Sequence, residues 1–152
     1  MSQTATTPTI YLLDTNIISD MMRNPTGNTA RQGTERAREH SACQMATSVI
    51  VECELLFGLR RRPSERWQQR YQLVMNSLEV LPLEPSMSET YAQIRAELEA
   101  LGTPIGPNDT LIAAHALALG ARLVTADAEF SRVPGLMVEN WLQPSQTLRR
   151  QL

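Results

Sequence analysis

The sequence contains no lysine; its fourteen basic side chains are all arginine. Without lysine the chain cannot carry the phosphate-binding lysine of a P-loop nucleotidase or the amine nucleophile of a Schiff-base enzyme. Imidazole is scarce too, limited to His40 and His115. No Cys/His set has zinc-ligand spacing and no Gly-x-Ser-x-Gly elbow occurs, which removes zinc chemistry and an elbow serine. Cys43 and Cys53 are too far apart for a Cys-x-x-Cys redox pair and too few for a disulfide framework, so both are expected to stay reduced. The longest apolar stretch, Leu111 to Leu119, is too short to cross a bilayer. Met1 to Thr9 has neither the basic region nor the apolar run of a signal peptide. No membrane association and a cytoplasmic address are expected. The formal charge is −2, so the basic surplus behind non-specific nucleic-acid binding is missing, and such a substrate would have to be held locally.

What the chain does hold is carboxylate, sixteen Asp and Glu in 152 residues of which 42% are apolar. That length and composition suit one domain with a real core. We expect a single domain over 1–152, its core at about 9–142, with a flexible N-terminal segment and a loose tail from about Gln143.

Thr9 to Leu13 reads as a buried strand ending at Asp14. Thr15 to Met22 is a short helix stopped before Asn24-Pro25. Pro25 to Glu39 is polar and rich in Thr, Gly and Arg, a mobile loop passing into a charged helix without a core face. Gln44 to Thr47 is a second strand, after which Ser48 caps a helix to about Arg61. That helix is apolar nearly all round, so it is expected to be buried. Pro63 fits the first position of the next helix, with Trp67, Tyr71 and Val74 on one face and Arg66 and Arg70 on the other. Glu79 to Leu83 is a third strand, and Ser86 to Leu101 an amphipathic helix ended by Gly102. Gly106-Pro107-Asn108-Asp109 opens an apolar helix to Leu119. Arg122 to Thr125 and Leu136 to Val138 complete the strands. Short strands apolar on both faces, alternating with helices, predict a three-layer α/β/α sandwich around a mainly parallel sheet of four to five strands.

Open parallel sheets carry their functional crevice at the carboxyl ends of the strands. Asp14 falls there directly after the first strand, and Asp127 lies just beyond the fourth. Each has an ordinary alternative: Asp14 and Asp109 as helix caps, Asp127 as a turn residue. A glutamate inside an apolar helix needs a partner or a metal. Periodicity does not separate Glu54 from Glu52. His115, inside the last apolar helix, reads as packing.

Four motifs in order resemble the PIN-domain ribonucleases, in particular the VapC/FitB toxins of bacterial toxin–antitoxin pairs. They are Leu12-Leu13-Asp14-Thr15-Asn16, Cys53-Glu54-Leu55-Leu56-Phe57-Gly58, Gly106-Pro107-Asn108-Asp109 with Ile112-Ala113-Ala114-His115-Ala116, and Val124-Thr125-Ala126-Asp127. Phe130 to Leu136 and Glu139-Asn140-Trp141 extend the resemblance over about residues 9 to 142. It implies a PIN-like fold and catalytic, metal-holding acids at Asp14, Glu54, Asp109 and Asp127, choosing Glu54 over Glu52. Asn16 and Thr125 become supporting groups. It also implies Mg²⁺ or Mn²⁺, one ion or two, RNA cleavage leaving a 3′-hydroxyl and a 5′-phosphate, and arrest of translation through tRNA or rRNA. The implied partners are a VapB/FitA-like antitoxin, DNA only through the antitoxin complex, and a second copy in a homodimer. The chemistry agrees: converging carboxylates without protein cations repel one another unless a hard divalent ion neutralises them. Arg60, Arg61, Arg62, Arg66 and Arg70 are candidate RNA contacts, with a solvated helix end as the ordinary reading of such an arginine run. Two other readings are a catalytically silent module that binds an antitoxin or operator complex, and an aspartyl-phosphate phosphotransfer protein; the missing lysine argues against the latter.

Overall fold

The computed structural model describes residues 7–143. Tyr11, Leu12 and Leu13 are all buried although successive strand residues point to opposite faces, so the sheet they belong to is covered on both sides. That sheet has five strands: β1 (Ile10–Leu13), β2 (Gln44–Ser48), β3 (Glu79–Leu81), β4 (Arg122–Val124) and β5 (Met137–Glu139). Their order is β3-β2-β1-β4-β5 and every pairing is parallel.

Six helices connect them: α1 (Thr15–Arg23), α2 (Asn28–Glu39), α3 (Val49–Arg61), α4 (Glu65–Met75), α5 (Met87–Ala100) and α6 (Pro107–Leu119). From β1 to β3 the chain steps one way across the sheet, and from β3 to β4 it steps back over β1. Because such crossovers are right-handed, α1 to α4 cover one face and α5 with α6 the other. This is the expected three-layer sandwich. The reversal also makes the carboxyl ends of β1 and β4 the topological switch point, where a crevice opens. Among the described residues no helix is long and apolar enough to cross a membrane.

Three expectations need correction. Residues 28–39 are no loop with a late helix but an ordered helix with a core face. Thr29 and Gln32 are buried, Gly33 lies against Trp141, and Arg36 binds Glu139 at 3.0 Å. Those positions follow helical spacing, yet they are polar or small, so apolar periodicity missed them. Gly33 allows the close approach: a Cβ there would sit 3.3 Å from Trp141 Cζ3, tighter than an ordinary contact. Second, α3 is not buried all round. Val51 and Leu55 face the core, whereas Leu56 is 41% and Phe57 66% exposed, because α3 lies in an outer layer with one face to solvent. Third, α4 starts at Glu65 with Ser64 as its cap, the Ser64 hydroxyl accepting from Trp67 N at 3.4 Å; Pro63 precedes the helix. The third strand ends at Leu81, two residues early, and the fifth begins at Met137, one residue late. The expected N-terminal segment at 1–6 and the tail at 144–152 lie outside the described residues.

Candidate metal centre

Asp14 stands at the end of β1 and is only 4% exposed. It does cap α1, accepting from Thr15 N at 2.8 Å, but its second oxygen is occupied elsewhere. The Thr125 hydroxyl donates to that oxygen at 2.8 Å and the Asn16 amide at 3.2 Å. Thr125 follows β4, so this contact spans the switch point. Asn16 also donates to Thr125 Oγ1 at 3.2 Å and accepts from Ala126 N at 3.0 Å, while Asp127 N donates to Thr125 Oγ1 at 3.1 Å. The two supporting residues expected from the sequence, Asn16 and Thr125, thus tie Asp14 to the segment that carries Asp127.

Glu54 arrives from the exposed flank of α3. It accepts from the Thr15 hydroxyl at 2.5 Å and from the Asn108 amide at 3.4 Å. It is half-buried, so the argument that a wholly buried helix forces a partner on it does not hold. Its orientation rests on those two contacts instead. Glu52 is also half-buried but faces Tyr71 on α4, away from this site: burial raises the Tyr71 pKa and the Glu52 charge adds to the rise.

Asp109 lies in the first turn of α6, where no side chain caps the helix. Its carboxylate forms no hydrogen bond or ion pair among the described residues, so the capping explanation fails for it. Burial, and after it the charges of Asp14, Asp127, Glu54 and Glu129, push its pKa up to about 6. Asp14 is raised by burial as well, against the hydrogen bonds from Thr125 and Thr15, with Glu54 and Asp127 adding to the rise. Asp127 accepts from Glu129 N at 2.9 Å and begins the 3₁₀ turn Ala128–Arg132.

Carboxylate oxygens of Asp109, Asp127 and Glu129 lie within 4.8 Å of one another. Asp14 and Glu54 do not join that group at so close a spacing. They neighbour it and act on Asp109 through their charge. Glu129 was not foreseen from the sequence. The available signal was its place two residues after a capping aspartate, where the turn carries both acids to one end.

None of Asp14, Glu54, Asp109 and Asp127 is ion-paired among the described residues. Converging hard oxygen donors, of which only Glu129 at the edge has a cation near it (Arg132 at 3.9 Å), and a carboxyl raised toward neutrality fit a divalent ion. His115 is apart from this chemistry: it is 2% exposed, bonded through Nδ1 to Ser48 Oγ at 2.9 Å, and its pKa is lowered by burial. Arg60, Arg61 and Arg62 are exposed at the far end of α3. Arg70 is committed to backbone, donating to the carbonyls of Met22 and Arg23 at 2.7 and 3.2 Å.

Comparison with known proteins agrees with this geometry. Residues 11–136 match the PIN domain family. Ribonuclease VapC2 of Rickettsia felis is 36% identical over 135 residues, covering 87% of this chain and 98% of that protein. The tRNA(fMet)-specific endonuclease VapC of Salmonella typhimurium is 34% identical over 136 residues, covering 86% and 97%. In the crystal structure of VapBC2 from Rickettsia felis bound to a DNA fragment from their promoter, a chain 34% identical superposes with a TM-score of 0.80 over 87% of this chain and 98% of that one. The four acids at the switch point of a parallel sheet, and the relatives that match along nearly their whole length, place this chain in the PIN-domain family, among the VapC proteins.

Proposed function

We propose that the chain is a metal-dependent endoribonuclease, the toxin of a VapBC-type pair, and that Asp14, Glu54, Asp109 and Asp127 are its metal-holding carboxylates with Glu129 at their edge. The observation that carries this reading is the set of acids gathered from four separate segments around an unbonded Asp109 with a pKa of about 6. Oxygen donors of this kind suit Mg²⁺ or Mn²⁺, as one ion or two. Bound there, such an ion neutralises the acids and supplies Lewis-acid activation of water and phosphodiester.

The chain's own residues do the positioning. Thr125 and Asn16 fix the rotamer of Asp14, and Thr15 and Asn108 aim Glu54. Asp127 is held by its capping bond. Asp109 is unconstrained by hydrogen bonds, which leaves it free to exchange a proton for a cation near neutral pH. An aspartyl-phosphate reading needs Asp14 exposed as a nucleophile, whereas it is buried with both oxygens engaged.

RNA is the substrate, and tRNA is the class favoured by the name of the Salmonella relative. The partner is a VapB-like antitoxin, and the chain meets DNA only within that complex; the Rickettsia VapBC2 structure bound to a promoter DNA fragment supports this reading. An apolar groove of about 430 Å³ between α1, α2 and α4, bordered by Met22, Val74 and the 73%-exposed Leu73, suits a partner helix. Exposed Leu56 and Phe57 on α3 suit a homodimer contact. The test is cleavage of transfer RNA by the purified chain with Mg²⁺ and by its Asp14→Asn variant; equal cutting by the two defeats the assignment.

A further inference from the structure

Among the described residues the exposed arginines without an ion pair stand singly at Arg23 on α1 and at Arg31 and Arg38 on α2, and cluster in one place only. Arg36, Arg95, Arg122 and Arg132 are ion-paired to glutamates. Those at the corner where α3 ends and α4 begins are not. Arg60, Arg61, Arg62 and Arg66 are exposed and form no ion pair among the described residues. Between residues 60 and 70 five arginines face a single glutamate, Glu65. In a chain of net charge −2 this is a local cationic surface.

The corner is also ordered. The half-buried Trp67 ring has the guanidinium of Arg66 at 5.7 Å and that of Arg70 at 5.8 Å from its centroid, contacts that restrain both side chains. Arg70 reaches further, to the carbonyls of Met22 and Arg23 at the end of α1. Since α1 begins beside Asp14, the corner stands one helix length, about 14 Å, from the acids. Along α3, Glu54 and Arg60 are separated by about 9 Å.

We propose that this corner is a second RNA site, which grips the sugar-phosphate backbone close beside the scissile bond. The proposal rests on the ribonuclease reading and adds to it where the substrate is held. An acid-lined cleft repels a polyanion, so the force that retains RNA has to come from elsewhere on the surface. Arginine supplies it with forked donors matched to phosphate oxygens. Arg60, Arg61 and Arg62 contact phosphates, while Trp67 and Arg70 hold the corner in place.

The experiment compares the full chain with its Arg60→Gln/Arg61→Gln/Arg62→Gln variant, none of whose changes touches the acids. Binding of a labelled transfer-RNA transcript is followed in EDTA by fluorescence anisotropy across a salt series. Loss of three phosphate contacts lowers the salt slope by about two and weakens binding about 100-fold at roughly 0.1 M salt, with the curves converging near 1 M. With Mg²⁺, KM for the transcript rises while kcat for a short oligoribonucleotide stays at the wild-type value. Equal slopes and affinities overturn the proposal. So does a variant that keeps RNA binding and loses affinity for an acidic peptide, which assigns the corner to a protein partner. A wild-type chain that binds RNA but never cuts it defeats the nuclease reading alone, and the slope comparison still decides the corner.

Discussion

Replacing Asp109 by asparagine should stabilise the metal-free protein at neutral pH. The carboxyl is raised from 3.8 to about 6 by burial and by four neighbouring acids. At about 1.4 kcal/mol per unit the full shift corresponds to a ceiling of about 3 kcal/mol. Asp109 is only partly buried, so solvent screening reduces the expected gain to about 1–2 kcal/mol. The sign follows from proton uptake. A folded-state pKa above the unfolded one means the folded protein holds the proton more tightly. Stability is therefore lost as pH rises from about 4 to about 6, then levels off. Asparagine does not titrate, so the advantage of the variant grows across that window. Other groups slope differently. His115, lowered by burial, favours higher pH. So does Glu139: burial acts to raise it, but hydrogen bonds from Trp141, Arg36 and Arg122 lower it on balance. Both are present in either protein and cancel in the difference. Urea denaturation in EDTA at several pH values measures it. Saturating Mg²⁺ reverses the order, because a ligand that binds the folded state stabilises the wild type more. A variant less stable than wild type in EDTA at neutral pH, or a difference that does not change with pH, would refute the reasoning.

Three further outcomes follow from the same contacts. Thr125→Val keeps the shape but removes the donor to Asp14; Mg²⁺ affinity by calorimetry should fall about 10–100-fold with the fold intact, and wild-type affinity would show that Thr125 positions nothing. Glu129→Gln should cost about tenfold in cleavage rate, less than Asp109→Asn; a larger loss than that of Asp109→Asn would move Glu129 to the centre of the site. Trp141→Ala empties a buried site beside Tyr11 and Gly33, and should cost about 3–5 kcal/mol. Hydrogen exchange should then show α2 losing protection first, and unchanged protection in α2 would contradict its docking on Trp141.

The layered fold was legible because β1 and β4 are apolar on both faces and helices alternate with them. The corrections share one physical origin. Where a helix packs through polar or small groups, as α2 does through Thr29, Gln32, Gly33 and Arg36, hydropathy contains no record of the contact. Where apolar residues face outward, as Leu56 and Phe57 do on α3, hydropathy overstates burial. The acids were legible singly from strand ends and motif order, but their mutual geometry was not. That Asp109 is unbonded while Asp14 and Asp127 both cap and converge depends on side-chain directions set by the tertiary fold. Glu129 escaped notice because only the 3₁₀ turn brings it to Asp109.

The central claim is most directly tested by mapping the ends of transfer RNA after incubation with the purified chain and Mg²⁺, with EDTA, and with the Asp14→Asn variant and Mg²⁺. The account predicts discrete internal cuts bearing 5′-phosphates with the wild type and Mg²⁺ only, and a loss of about 100-fold or more in the variant. Cutting that persists in EDTA, or at the wild-type rate in Asp14→Asn, would contradict it.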